Sequence, residues 1–351
     1  MSRLQVSVLT LTLVVLTSAA AAAEYRDGGY AIRIDNDLFS GAHRDQDYSW
    51  GGAGTWASPH PGALTRPLHW SRRKLDALLS PDESTGLRWQ PEQQATQLGI
   101  IAMTPRAIDL AEPQHDDRPY ANLMFATSSE LRVLEGGERA RFSSFTFGML
   151  GLHAAGTLHR TVHRAIGDRI PEGWDHQVSA GGEPTARYVA AQQWLLGEPD
   201  SWDADMPELK LTAAGSAGFL TEGSLALSAR WGRIQSPWWS FAPELGDYTA
   251  APVAPLESFS SHNPAERFFF AGIRVKARAY NALLQGQFRH SDVRMQGDDV
   301  EHLLAEAWVG IATTWNDSRV TYAVHFATPE LRVEPGERSL IWAGINFERS
   351  Y

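Results

Sequence analysis

The 351-residue chain has no cysteine. That excludes a disulfide framework and a cysteine-linked lipid anchor. Positive charge is short: 31 Lys and Arg stand against 41 Asp and Glu, a formal net charge of −10. A chain so acidic is a poor partner for bare nucleic acid. Past residue 23 no apolar run approaches the roughly 20 residues of a membrane-spanning helix. If the mature chain crosses a membrane, it crosses with strands. The sequence also lacks a Gly-x-Ser-x-Gly elbow, so a serine hydrolase of that type is not expected.

What is present begins with a leader. Arg3, an apolar run from Val6 to Leu16 and the alanines Ala19 to Ala23 read as a secretory signal peptide at 1–23, leaving one domain at 24–351. Thirteen tryptophans combined with only 21% charged residues suit the aromatic belts of a membrane barrel. A soluble sandwich or barrel shares the alternation but not this composition.

Most of the chain alternates with the two-residue period of half-buried strands. Thirteen segments qualify: 30–39, 48–57, 95–104, 119–133, 142–150, 185–196, 209–220, 223–234, 267–279, 283–289, 302–314, 319–328 and 339–351. A closed barrel with both termini on one side needs an even number, and 283–289 is the weakest. Short turns at Leu134–Arg139, Phe219–Ser224 and Trp315–Arg319 contrast with long connections at 58–93, 151–184 and 235–266. This reads as short turns on one side and external loops on the other, with a basic helix inside 58–93 carrying Arg72, Arg73 and Lys74. The fold class is therefore an all-β, antiparallel transmembrane barrel of about twelve strands with a short helix in an external loop.

One stretch, Gly148 to Gln177, switches to a helical period. Leu158, Val162 and Ala165 share one side, His159 and His163 lie one turn apart on an adjoining side, and Gly167 closes the pattern. Three further patches carry polar groups: Asn36-Asp37 late in the first strand, Tyr48-Ser49 opening the second, and Asp116 to Asn122, DDRPYAN.

Together, IDNDLF, DQDYSWG, DDRPYAN and TLHRTVHRAIG followed by PEGWD and Glu183-Pro184 resemble, in order over the mature chain, the lipid A 3′-O-deacylases of Gram-negative outer membranes. The resemblance implies a twelve-stranded barrel whose site lies between the wall and a loop helix near the outer leaflet. It implies a calcium-dependent hydrolase removing a 3′-linked acyloxyacyl group from lipid A of lipopolysaccharide; the acidic charge separately argues against a nucleic acid partner, and no oligomer is evident. His163 matches the catalytic histidine and Asn36 and Asp37 the Asn-Asp pair. Ser49 falls where Thr is usual, and Arg118 matches the arginine of the RPYAG-like motif. For calcium, Asn36 and Asp37 are joined by the nearby carboxylates Asp168 and Glu172, with Glu183 a further option. Trp50, Asn122, Leu152 and His159 stand where the family has Asn, Gly, Pro and Gln.

The chemistry has its own logic. Without cysteine or a serine elbow, water is the economical nucleophile, a neutral imidazole can take its proton, and a hard cation can hold the developing oxyanion. Two other readings stand beside it. One is a barrel that kept the scaffold without the activity, or a binding or structural barrel, and the other a zinc hydrolase using His153, His159 and His163, although no Glu completes an HExxH pattern.

Overall fold

The computed structural model describes residues 28–41, 46–57, 65–79, 88–197, 207–248, 265–315 and 318–350. The leader expected at 1–23 lies outside them. Twelve antiparallel strands run through the described residues: β1 (Gly29–Asn36), β2 (Asp47–Ala57), β3 (Trp89–Thr104), β4 (Ala121–Leu134), β5 (Arg139–Leu150), β6 (Glu183–Leu196), β7 (Glu208–Gly218), β8 (Leu220–Arg233), β9 (Arg267–Asn281), β10 (Leu303–Trp315), β11 (Ser318–Ala327) and β12 (Leu340–Ser350). Each pairs with its neighbours in sequence. Pairing of β1 with β12, from Gly29 opposite Ser350 to Asn36 opposite Ala343, closes the barrel. Closure leaves no exposed strand edge, which is what lets a sheet face hydrocarbon.

Among the described residues three α-helices accompany the strands: α1 (Arg66–Leu79), α2 (His153–Ile166) and the single turn α3 (Ala282–Gln285). The thirteenth expected strand, 283–289, is α3 and the loop after it. There Asn281 ends β9, and its side chain accepts the Leu283 N–H at 3.0 Å. An amide that caps a turn competes with the strand ladder and stops it.

Strand parity sorts the connections into two ends. Connections after odd strands, including the α2 loop, lie at one rim. Those after even strands lie at the other, beside both termini. The long connections around 58–93 and 235–266 therefore lie at the terminal end, not outside as the sequence reading had it. The Phe219–Ser224 turn lies at the far rim. Length alone does not mark sidedness, because each long terminal connection has its own structural task. The first carries α1 onto the outer wall. The second turns back into the lumen.

The described part of that second connection, to Tyr248, fills the barrel. Near the terminal end, the Trp238 indole N–H donates to the Gly137 carbonyl at 2.6 Å. Further in, Glu244 accepts from Gln193 at 2.7 Å and Thr212 at 2.9 Å. Arg274 donates to the carbonyls of Glu244 and Gly246, at 2.8 and 2.9 Å. At the far rim the Tyr248 hydroxyl donates to Glu330 at 3.2 Å, and its ring packs on Tyr48 at 4.9 Å. Inward-facing charges close around this segment in opposed pairs. Arg187 meets Asp247 at 2.7 Å, Lys276 meets Glu306 at 2.7 Å, and Arg278 pairs with Glu222 and Glu330. Buried charges persist only when paired in this way. The lumen is thus a polar, occupied core, and outward positions such as Leu225, Phe269, Ile273, Val309 and Phe326 are exposed and apolar, as a lipid-facing wall requires.

Candidate active site

The lumen is filled, and Asn36 and Ser49 lie outside it on the outer wall. Alternation decides this. Asp35 and Tyr48 face inward, bonded to each other at 3.2 Å, so the adjoining Asn36 faces outward. Across the sheet Asn36 lies opposite Trp50, Trp50 opposite Ala102, and Ala102 opposite Asn122. One outward row thus links the Asn-Asp pair to the base of α2. Ser49 occupies the bulge between Tyr48 and Trp50, with its hydroxyl 2.5 Å from that of Thr104. A bulge re-aims one side chain without ending the pairing, and here it brings a strand hydroxyl to the outer rim.

β1 stops at Asn36, not at Phe39 as the alternation implied. The Asn36 side-chain oxygen accepts the Leu38 N–H at 2.7 Å and caps a 3-10 turn over Asp37–Ser40. That turn folds over the outside of the closing strands: the Tyr322 hydroxyl donates to the Phe39 carbonyl at 2.9 Å. Leu38 and Phe39 remain exposed while Asp37 is buried. One Asp37 carboxylate oxygen accepts the Gln46 N–H at 2.8 Å.

α2 is pinned to the rim at its start. The Asn122 amide donates to the Leu152 carbonyl at 3.0 Å and to Gln177 at 2.5 Å. The Gly151 N–H donates to the Asn122 carbonyl at 3.0 Å. Gly151 has φ +68°, and a Cβ there would lie 2.0 Å from the Ser179 carbonyl oxygen, so only glycine serves. Gly167, at φ +76°, ends the helix as expected. The buried residues of α2 are Ala155, Gly156, His159 and His163, whereas Leu158, Ala165 and Ile166 are exposed. The histidine side faces the protein and the apolar stripe faces away, the reverse of a helix in water.

Ala155 and Trp174 pack with Ala102, Ile108 and Tyr120, and Trp50 and Ile100 lie against them. Trp50 therefore joins the Asn36 row to the helix layer. The two histidines meet edge to face, with ring centroids 4.4 Å apart. The Trp174 indole N–H donates to His159 Nδ1 at 3.3 Å, which fixes a neutral His159 with its proton on Nε2. Burial first, then His163 and Arg160, holds the His159 pKa down at about 3. His163 Nδ1 lies 2.6 Å from the Arg169 carbonyl. A carbonyl only accepts, so Nδ1 carries the proton and the Nε2 lone pair is the basic end of the neutral ring.

The other expected residues are elsewhere. Arg118 is buried in an ion network at the lumen mouth, 3.2 Å from Asp47 and 2.5 Å from Glu330, turned away from the outer row. Asp168 and Glu172 are exposed beyond the end of α2, and one Asp168 oxygen accepts the Arg169 N–H at 2.7 Å. Glu183 faces the loop after α3, accepting the N–H groups of Phe288 and Arg289 at 2.5 and 3.1 Å. His153 is exposed, apart from His159 and His163. Among the described residues no three His, Cys, Asp or Glu side chains gather as a metal site. The Asn36 amide oxygen and one of the two Asp168 oxygens already accept backbone N–H groups. Among the described residues Asp37, Asp168 and Glu172 form no cluster of three such side chains, and neither do His153, His159 and His163.

Thr104 and Gln177 belong to the site but were not singled out from sequence. Neither forms part of a motif, and only the bulge at Ser49 and the Asn122 amide reveal them.

A closed, filled barrel of twelve antiparallel strands with an apolar outer surface belongs to the class of outer-membrane β-barrels. Residues 7–351 match the family described as Outer membrane protein LpxR, and the chain belongs to that family. Among solved structures, LpxR from Salmonella typhimurium matches with TM-score 0.67 at 13% identity, covering 92% of this chain and 100% of that one. The translocator domain of the autotransporter NalP from Neisseria meningitidis matches with TM-score 0.42 at 8% identity, covering 99% and 97%. No curated protein sequence matches.

Proposed function

We propose that this protein hydrolyses an acyl ester of lipid A in the outer leaflet, with His163 as general base. The observation that carries the reading is the buried His163, whose Nδ1 is committed to the Arg169 carbonyl. Family membership supplies the substrate class.

In this reading a lipid A molecule approaches along the wall, and its ester lies beneath the buried face of α2. His163 Nε2 takes a proton from a water as that water's oxygen attacks the ester carbonyl. The carbonyl electron pair moves to its oxygen. Collapse of the tetrahedral species expels the sugar alkoxide, which takes up the proton from His163, and the fatty acid leaves. Asn36 supports the oxyanion: its carbonyl end is engaged at Leu38, which leaves its NH₂ end to donate. The Ser49 and Thr104 hydroxyls are the further donors on that rim. Removal of a 3′-linked acyloxyacyl group is the finer form of the proposal.

Calcium is part of the family expectation, and when bound it would supply positive charge for the oxyanion. Buried Asp37 suits a first oxygen ligand. Asn36, Asp168 and Glu172 are the other oxygen donors that the family expectation would add to it. Chelation followed by return of calcium tests the dependence directly.

The test of the reading is fatty acid release from lipid A by the purified, heat-modifiable barrel. His163→Ala is expected to lower the rate by roughly 10²–10⁴ with the mobility shift intact. Undiminished release would end the assignment of His163. The second reading, a barrel without the activity, is motivated by Trp50, whose bulky ring joins the packing between Asn36 and α2. Release by Trp50→Asn but not by the parent chain would favour it.

A further inference from the structure

α1 lies on the outside of the barrel at its terminal end. Leu131 and Phe142 face the lumen core with Trp238, so their neighbours Glu130 and Ser143 face out. Fully buried Arg72 of α1 bonds both of them, Glu130 at 2.6 Å and Ser143 at 3.1 Å, and pairs with Asp76. Asp76 in turn accepts the Tyr188 hydroxyl at 2.8 Å. This buried polar seam fastens one face of the helix to the wall.

The opposite face has a different composition. Arg66, Trp70, Arg73, Lys74, Ala77 and Leu78 are exposed there, with Trp70 at 62% and Leu78 at 77%. The Lys74 ammonium stands 5.8 Å above the Trp70 ring. The one acid of the helix, Asp76, is turned to the wall, so the outer face carries three cations and no anion on a protein of net charge −10. Exposed Trp and Leu interleaved with Arg and Lys are costly against water and favourable at a headgroup boundary.

We propose that α1 lies in the periplasmic-leaflet interface of the outer membrane and binds the phosphates of anionic glycerophospholipids through Arg66, Arg73 and Lys74, with Trp70 and Leu78 in the acyl boundary. Termini of outer-membrane barrels are periplasmic, which fixes the leaflet, and a locally basic face on an acidic protein fixes the charge of the partner. The site is independent of lipid A hydrolysis on the other leaflet.

The absence of cysteine makes the test clean. Ala77→Cys in the full chain takes one nitroxide label, and the barrel is reconstituted in phosphatidylcholine vesicles with or without phosphatidylglycerol. The label is expected to be accessible to oxygen and protected from an aqueous nickel reagent. Native mass spectrometry is expected to show preferential retention of phosphatidylglycerol over phosphatidylcholine, weakened on the order of 10-fold in R73Q/K74Q. Should that variant misfold, salt titration of the parent's lipid preference replaces it, and the preference is expected to fall with salt. A nickel-accessible label in vesicles, or equal retention of the two lipids, overturns the proposal. Either result would leave the face to water or to a periplasmic protein.

Discussion

Two histidines one turn apart on the same helix do different work because their Nδ1 atoms meet different groups. His163 faces a carbonyl and keeps a basic Nε2; His159 faces an indole N–H and is held neutral. The folded pKa of His159, about 3, lies below the ordinary 6.5, so the unfolded state binds more protons in the window between them. Its stabilising contribution is complete above about pH 6.5 and is lost as pH falls toward 3, on the order of 3 kcal/mol by pH 4. Hydrogen exchange in α2 should therefore accelerate below pH 6 more than exchange in the strands, and His159→Gln should abolish that acid sensitivity. Equal acid response in the variant would remove His159 as its source. At this scale the sequence was partly legible. The polar character of Asn36, Asp37 and His163 stood out, but Arg118 could not be placed, because a motif does not say on which side of the wall its side chain turns.

At the scale of elements, the seat of α2 is set by a missing side chain. A Cβ on Gly156 would lie 2.7 Å from the Trp174 ring. Gly156→Ala is expected to lift the helix from the wall, costing about 1–3 kcal/mol locally and lowering activity while the barrel keeps its heat-modifiable mobility. Proteolysis within 151–182 measures this, and unchanged protection with unchanged activity would show that the close packing is not needed. The helix itself was readable from its period, but its inner face was not. Leu158, Val162 and Ala165 form an apolar stripe that in water would mark the buried side. Against lipid the same stripe points outward, and the histidines take the protein side. The end of β1 was hidden in the same way, since Leu38 stays in step with Tyr30, Ile32 and Ile34 while the chain folds over the outer wall.

For the whole molecule, the alternation of apolar and polar residues specified a barrel but not what fills it. Its lumen is occupied by the connection that reaches Tyr248, clamped by Arg187, Arg274 and Glu330. The purified protein in a planar bilayer is therefore expected to show no ion conductance steps. Porin-like steps would contradict a filled lumen. The sidedness of the long connections was not legible because it depends on counting strand parity, and one false strand at 283–289 unsettled that count. With the inside closed, the outward row from Asn36 to Asn122 and the buried face of α2 lie together on the outside of the far rim.

The most direct measurement is the mass spectrum of lipid A from Gram-negative cells expressing the chain or its His163→Ala variant, with equal barrel in the outer membrane. A lipid A species lighter by one acyloxyacyl group is expected with the parent chain and none with the variant. An acyl pattern identical in both, whether unchanged or equally shortened, would contradict it.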